Sequence, residues 1–197
     1  MSNQQTVVLL DGGMGQELIK RSTNAPTPLW SATVMRDEPN LVTTVHADYI
    51  QADARVITLN NYSATPVRLA KHGLSTAFSE LHQAAITAAQ RAIAQTKPTH
   101  PIAVAGCLPP LVSSYHAEDV PSEAACLADY RSLVAAQKDG VNLFLCETLT
   151  TVREVQTAAT AGKESGHPVW VGMTVDDQDG TRLRSGESLA DGVAAAK

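Results

Sequence analysis

Two carboxylates, Asp11 and Glu147, each follow an apolar run, and both runs carry the aliphatic and β-branched residues of a buried strand. A carboxylate at the end of such a strand is destabilising by several kcal/mol unless something partners it, which points to a substrate or metal role. The plain alternative for Glu147 is a salt bridge to a neighbouring loop. Asp11 opens the glycine-rich turn Asp11-Gly12-Gly13-Met14-Gly15. A dinucleotide site would need Gly-x-Gly-x-x-Gly with an acidic residue ending the next strand, and a Walker loop would need Gly-Lys-Ser/Thr; neither is present. What remains is either a tight turn with Asp11 capping a helix, or backbone N–H groups of Gly12 and Gly13 offered to a small carboxylate. Together Asp11 and Glu147 can act as acid and base, or jointly bind an ammonium group. Trp30 and Tyr62 lie in loops beside the same rim, in a chain with two Trp, four Tyr and two Phe. They can face a methylated cation, at roughly 0.5–2 kcal/mol per ring, or simply pack beneath a loop.

Other candidates are weaker. Asp176-Asp177-Gln178-Asp179-Gly180 has the look of a calcium loop, but Val175 stands where the motif should open and Gly186 where its Glu should close it, so a turn is expected. Cys107 and Cys146 both end strands. Strand alternation separates them, because Cys146 points to the helices if Glu147 points to the mouth. His46 reads as a packed or capping residue.

These side chains need a scaffold that gathers strand ends. Apolar runs recur at 6–10, 56–59, 102–105, 141–146 and 169–175, nearly continuous as strands buried on both faces should be. Helical spacing fills the intervals: Val42, Val45, Tyr49 and Ala52; Phe78, Leu81, Ala85, Ala88 and Ala92; Leu127, Tyr130 and Val134; Val152, Val155 and Ala159. Thr151 with Glu154 forms a capping-box pattern, and Pro121 suits a first helical turn. Alternation of strand and helix predicts parallel strands with right-handed crossovers. An open doubly wound sheet and a (β/α) barrel both satisfy it, and both put function at the carboxyl ends of the strands.

Composition removes several classes of partner. Of 197 residues 44% are hydrophobic and 18% charged, so the chain can build a core as one domain spanning 1–197. The net charge of −5 offers no footprint for nucleic acid. No apolar run approaches the roughly 20 residues that span a bilayer. The N-terminus lacks the basic start and apolar middle of a secretory signal, so a cytoplasmic location is expected. Three cysteines about twenty residues apart fit no disulfide framework or metal knuckle and read as reduced, buried thiols.

Seven fragments, in order, resemble the homocysteine S-methyltransferase family. They are Leu10-Asp11-Gly12-Gly13-Met14-Gly15-Gln16-Glu17-Leu18, Pro28-Leu29-Trp30-Ser31-Ala32, Pro39-Asn40-Leu41 with Val45-His46-Ala47-Asp48-Tyr49, Val56 to Tyr62, Val104-Ala105-Gly106-Cys107-Leu108-Pro109-Pro110, Glu147-Thr148-Leu149, and Leu183-Arg184-Ser185-Gly186-Glu187. The resemblance implies a (β/α)8 TIM barrel, of which this chain carries about the first five βα units. It also implies transfer of a methyl group from an onium donor to the zinc-bound thiolate of L-homocysteine, giving methionine. The metal matters because a free thiol near pKa ~8.5 is mostly protonated at neutral pH. By the same resemblance Asp11 and Glu147 receive the homocysteine ammonium, the Gly12 region meets its carboxylate, and Trp30 and Tyr62 face the methyl donor. The Leu-Trp-Ser-Ala piece resembles the S-methylmethionine-using branch, so S-methylmethionine or S-adenosylmethionine is expected ahead of betaine.

Departures from the family pattern are Leu59 and Asn61 where small or hydroxylated residues are usual, Ala52-Asp53-Ala54 for Ala-Gly-Ala, and Cys107 for a common Ser. The family's three zinc-binding cysteines belong to an Asn-Cys and a Gly-Gly-Cys-Cys segment, neither of which occurs here. No metal ligand, no catalytic residue and no bound Zn2+ are therefore expected in this chain, which is expected to be inactive alone and to self-associate through exposed barrel edges. Two rival functions are a catalytically silent amino-acid-binding half-barrel and a metal-free α/β enzyme using Asp11 and Glu147 as acid and base.

Overall fold

The computed structural model describes residues 7–25, 27, 29 and 31–197. Four parallel strands, β1 (Val56–Thr58), β2 (Ala103–Leu108), β3 (Leu143–Leu149) and β4 (Val169–Met173), pair in the order β1-β2-β3-β4. Leu10 adds a parallel bridge to Val56 on the outer side of β1, backed by Arg55 N–H to Leu9 O (2.8 Å) and Asp11 N–H to Val56 O (3.0 Å). The run expected as a first strand is thus a single bridge among its described residues. It has one short neighbour, and Val7 to Leu10 remain 41–89% exposed.

Helices fill every interval: α1 (Met14–Arg21), α2 (Ser31–Asp37) and α3 (Pro39–Gln51) before β1, α4 (Pro66–Lys71) and α5 (Phe78–Thr96) before β2, α6 (Glu123–Gln137), α7 (Val152–Glu164) and α8 (Leu189–Ala195) thereafter. Sequential strand order in one direction keeps all right-handed crossovers on one face of the sheet. A doubly wound sheet reverses its order and carries helices on both faces, so the barrel alternative is the one that fits. Ile57, Leu59, Val104, Leu108, Phe144 and Cys146 join the helices in the main core, while Val56, Ala105 and Leu143 form a small cluster on the opposite, inner face. Strand alternation therefore sends Cys107 and Glu147 inward and Cys146 outward.

Local signals set the element ends. Thr151 caps α7 with the reciprocal Glu154 bond of a capping box. Ser122, whose hydroxyl accepts the Ala125 N–H, caps α6, so Pro121 precedes the cap instead of entering the first turn. Asp53 has φ +74°, a left-handed conformation that glycine meets without strain and aspartate tolerates, which accounts for the glycine usual there. β2 and β3 run three residues further than their apolar runs suggest, so Gly106 to Leu108 and Glu147 to Leu149 belong to strands and not to loops.

Candidate functional site

A cleft of about 370 Å³ opens at the carboxyl ends of the strands, and Asp11, Gly12, Gly13, Thr58, Tyr62, Glu147 and Thr148 are among its walls. Four of the five site residues expected from sequence are thus brought together. Trp30, the fifth, lies outside the described residues.

Asp11 is not a helix cap. Gly13 is the N-cap of α1 and makes no side-chain cap bond. The Asp11 carboxylate turns to β1 instead, where Oδ2 accepts the Thr58 N–H (2.7 Å) and Oδ1 accepts the Thr58 hydroxyl (3.1 Å). Burial raises its pKa to about 6; the Thr58 bonds oppose the shift and the Glu147 charge adds to it. Beside it Gly12 passes so close to Tyr49 that a Cβ would lie 2.9 Å from the ring, so any larger residue must displace the tyrosine.

Glu147 is set by a bulge. Cys146 pairs with Val171 and Leu149 with Met173, so β3 holds one residue more than β4 across that interval. The extra residue is absorbed beside Thr148, whose φ of +61° is rare for a β-branched side chain. Glu147 Oε2 accepts the Cys107 thiol at 3.1 Å. Burial pushes the Glu147 pKa up and the thiol bond holds it down. No ion pair among the described residues includes Asp11 or Glu147, so the salt-bridge alternative fails for Glu147.

Tyr62 is fixed by two loops that sequence reasoning did not connect. Its hydroxyl shares a 2.8 Å hydrogen bond with Ser114, and the Arg68 guanidinium lies 5.2 Å from the centre of its ring. Arg68 also donates to Tyr62 O (3.2 Å), Val112 O (2.8 Å) and Pro110 O (2.9 Å), tying the loop after β1 to the loop after β2. One neighbourhood of the Tyr62 ring already holds a cation. Thr58, Cys107 and Arg68 are the neighbours of these candidate residues that the sequence did not single out for this role; for Cys107 the available signal was its inward position on a strand.

The remaining candidates stay outside the cleft. Asp176 Oδ1 accepts the Gln178 and Asp179 N–H groups (2.8 and 2.9 Å), as a turn requires. His46 is fully buried with neither ring nitrogen hydrogen-bonded, a packed residue and not a cap. Among the described residues no group of three or more His, Cys, Asp or Glu is placed to hold a metal ion. The three cysteines are free and buried, and burial raises each thiol pKa, the opposite of what a thiolate ligand needs. No helix among the described residues is long and apolar enough to cross a membrane.

A family model described as homocysteine S-methyltransferase matches residues 8–197. A homocysteine S-methyltransferase of Escherichia coli is 33% identical over 209 residues, covering 96% of this chain and 67% of its own length. Homocysteine S-methyltransferase 3 of Zea mays is 29% identical over 202 residues, covering 92% of this chain and 60% of its own. The metallated form of the homocysteine methyltransferase MmuM from Escherichia coli superposes with a TM-score of 0.84 at 30% identity, over 98% of this chain and 71% of that one. This chain therefore spans 60–71% of the length of these relatives.

Proposed function

The chain belongs to the homocysteine S-methyltransferase family, and from that premise we propose that its cleft binds L-homocysteine as the methyl acceptor for an onium donor, with methionine as product. The observation that carries this reading is the pair of carboxylates, Asp11 and Glu147, on one cleft with no ion-pair partner among the described residues. Both acids are half-buried and the Glu147 charge raises the cost of ionising Asp11; an ammonium placed between them offsets that cost. Asp11, oriented by Thr58, and Glu147, oriented by Cys107, receive the homocysteine ammonium. The Gly12-Gly13-Met14 backbone, which lines the cleft at the start of α1, receives the carboxylate.

Tyr62 presents an aromatic face and a hydroxyl toward the donor side. Because Arg68 lies against that ring, an onium methyl group has to approach away from the guanidinium. S-methylmethionine or S-adenosylmethionine is the donor this reading prefers, with Trp30 as a second face. The described residues do not fit a zinc site, so this reading gives them recognition of the amino acid and no part in activating its sulfur. The 197-residue chain is accordingly expected to bind homocysteine without forming methionine.

The test is selective loss. Glu147→Ala is expected to weaken L-homocysteine binding at least about tenfold, the worth of one charged hydrogen bond, while leaving S-methylmethionine binding unchanged in calorimetric titration. Equal losses for both ligands would remove Glu147 from the amino-acid site.

A further inference from the structure

Cys107 lies one strand away from Glu147, is fully buried, and makes its side-chain hydrogen bond to Oε2 of that carboxylate. Burial and the Glu147 charge keep the thiol protonated, so in this pair the sulfur donates and the carboxylate accepts. The backbone that carries the thiol is held in an unusual way. β1 ends at Thr58, paired with Ala105, so strand pairing on that side stops before Cys107. The buried side-chain amide of Gln137, from the last turn of α6, takes the place of a strand: its Oε1 accepts the Cys107 N–H (2.9 Å) and its Nε2 donates to Cys107 O (3.2 Å). A second bond from Nε2 to Leu133 O (3.0 Å) fixes the amide to its own helix. Gly106 leaves room for this arrangement, since a Cβ there would lie 3.0 Å from the Gln137 oxygen and 2.6 Å from the Phe144 ring.

We propose that Cys107 is a positioning residue: its thiol, locked to the sheet by Gln137, holds Glu147 Oε2 and thereby turns the other carboxylate oxygen to the cleft for the substrate ammonium. This rests on the homocysteine reading of the cleft. A donor on the ionised form favours that form, so the thiol also offsets part of the burial penalty that Glu147 bears. The charged and titratable groups around Glu147 are few. Asp11 faces it from the turn after Leu10, Cys107 from β2 and the Tyr62 phenol from the loop after β1, with the Arg68 guanidinium within electrostatic reach of Cys107 and Tyr62; its chain neighbour Cys146 points away to the helix side.

Two substitutions separate positioning from packing. Cys107→Ser keeps a donor and Cys107→Ala removes it, and both are small enough for the buried site. In the 197-residue chain with carbon-13-labelled glutamate, the Glu147 carboxyl signal, assigned by its loss in Glu147→Gln, is titrated by NMR. L-homocysteine affinity is measured on the same samples. In Cys107→Ala the Glu147 midpoint is expected to move up and affinity to fall about tenfold, the scale of one hydrogen bond to a charge, while Cys107→Ser restores both to within about twofold. An unmoved midpoint in Cys107→Ala, or a serine variant that behaves like alanine, overturns the role. If no form binds homocysteine, the substrate reading fails, and the titration alone still decides whether the thiol controls the carboxylate.

Discussion

Asp11 and Glu147 face the same cleft, and burial makes each easier to protonate than an ordinary carboxylate. Ammonium binding needs the ionised forms. With Asp11 at about 6, affinity for homocysteine is expected to rise as pH climbs from 5 to 7 and to level off above, with proton release at the lower end. Calorimetry in buffers of different ionisation enthalpy reads that release; a flat profile would detach Asp11 from the ammonium. His46 makes the opposite kind of statement. Its ring is fully buried and unpartnered, and burial lowers its pKa from 6.5 to about 4. Because the folded value lies below the unfolded one, the unfolded chain binds the extra proton between them, and stability falls as pH drops through that window, by about 3 kcal/mol in all. His46→Leu removes both the unpaired nitrogens and this liability. Urea unfolding is expected to show the variant more stable by about 1–3 kcal/mol at pH 7, with the gap widening toward pH 4. A gap that does not change with pH would contradict burial of a neutral imidazole.

The elements show which positions a sequence pattern can encode. Thr151 and Glu154 announce their own bond because a capping box is local, and the apolar runs place β1 to β4 because parallel strands carry nearly continuous apolar runs, even at β4, whose inner face is partly open. The bulge at Thr148 leaves no such mark. It arises where β3 and β4 fall out of step, and Gly172 opposite is tight enough that a Cβ would lie 3.2 Å from Cys146 O. Arg68 is illegible for a similar reason, since its three carbonyl partners at 62, 110 and 112 depend on where two loops meet in space. Arg68→Met keeps most of the volume and deletes those bonds. It is expected to destabilise the fold by about 2–4 kcal/mol in urea unfolding and to loosen Tyr62, weakening donor binding more than homocysteine binding. A loss under about 1 kcal/mol would mean the loops hold together without it.

At the scale of the molecule, the sheet is open among the described residues. Val7 to Leu10 stand exposed beyond β1, and Trp170, paired with Leu145 on the inner face of β4, is 42% exposed at the other edge. Unpaired strand edges beside apolar surface invite pairing with another chain, so sedimentation is expected to show concentration-dependent self-association that Trp170→Lys reduces. A monomer at all concentrations would refute it. Strand order, the inward set and the shared cleft of Asp11, Gly12, Tyr62 and Glu147 were legible in the alternation and the family fragments. The partners Thr58, Cys107 and Arg68 were not, because each contact joins residues 6 to 47 positions apart through the folded sheet and its loops. The central claim is that the two carboxylates hold an ammonium. It is tested most directly by titrating the 197-residue chain with L-homocysteine and with 4-mercaptobutyrate, which lacks the amino group, in the native protein, Asp11→Asn and Glu147→Gln. Saturable binding of homocysteine alone, weakened at least about tenfold by either substitution, is the expected result. Equal binding of the two ligands, or homocysteine affinity untouched by both substitutions, would contradict it.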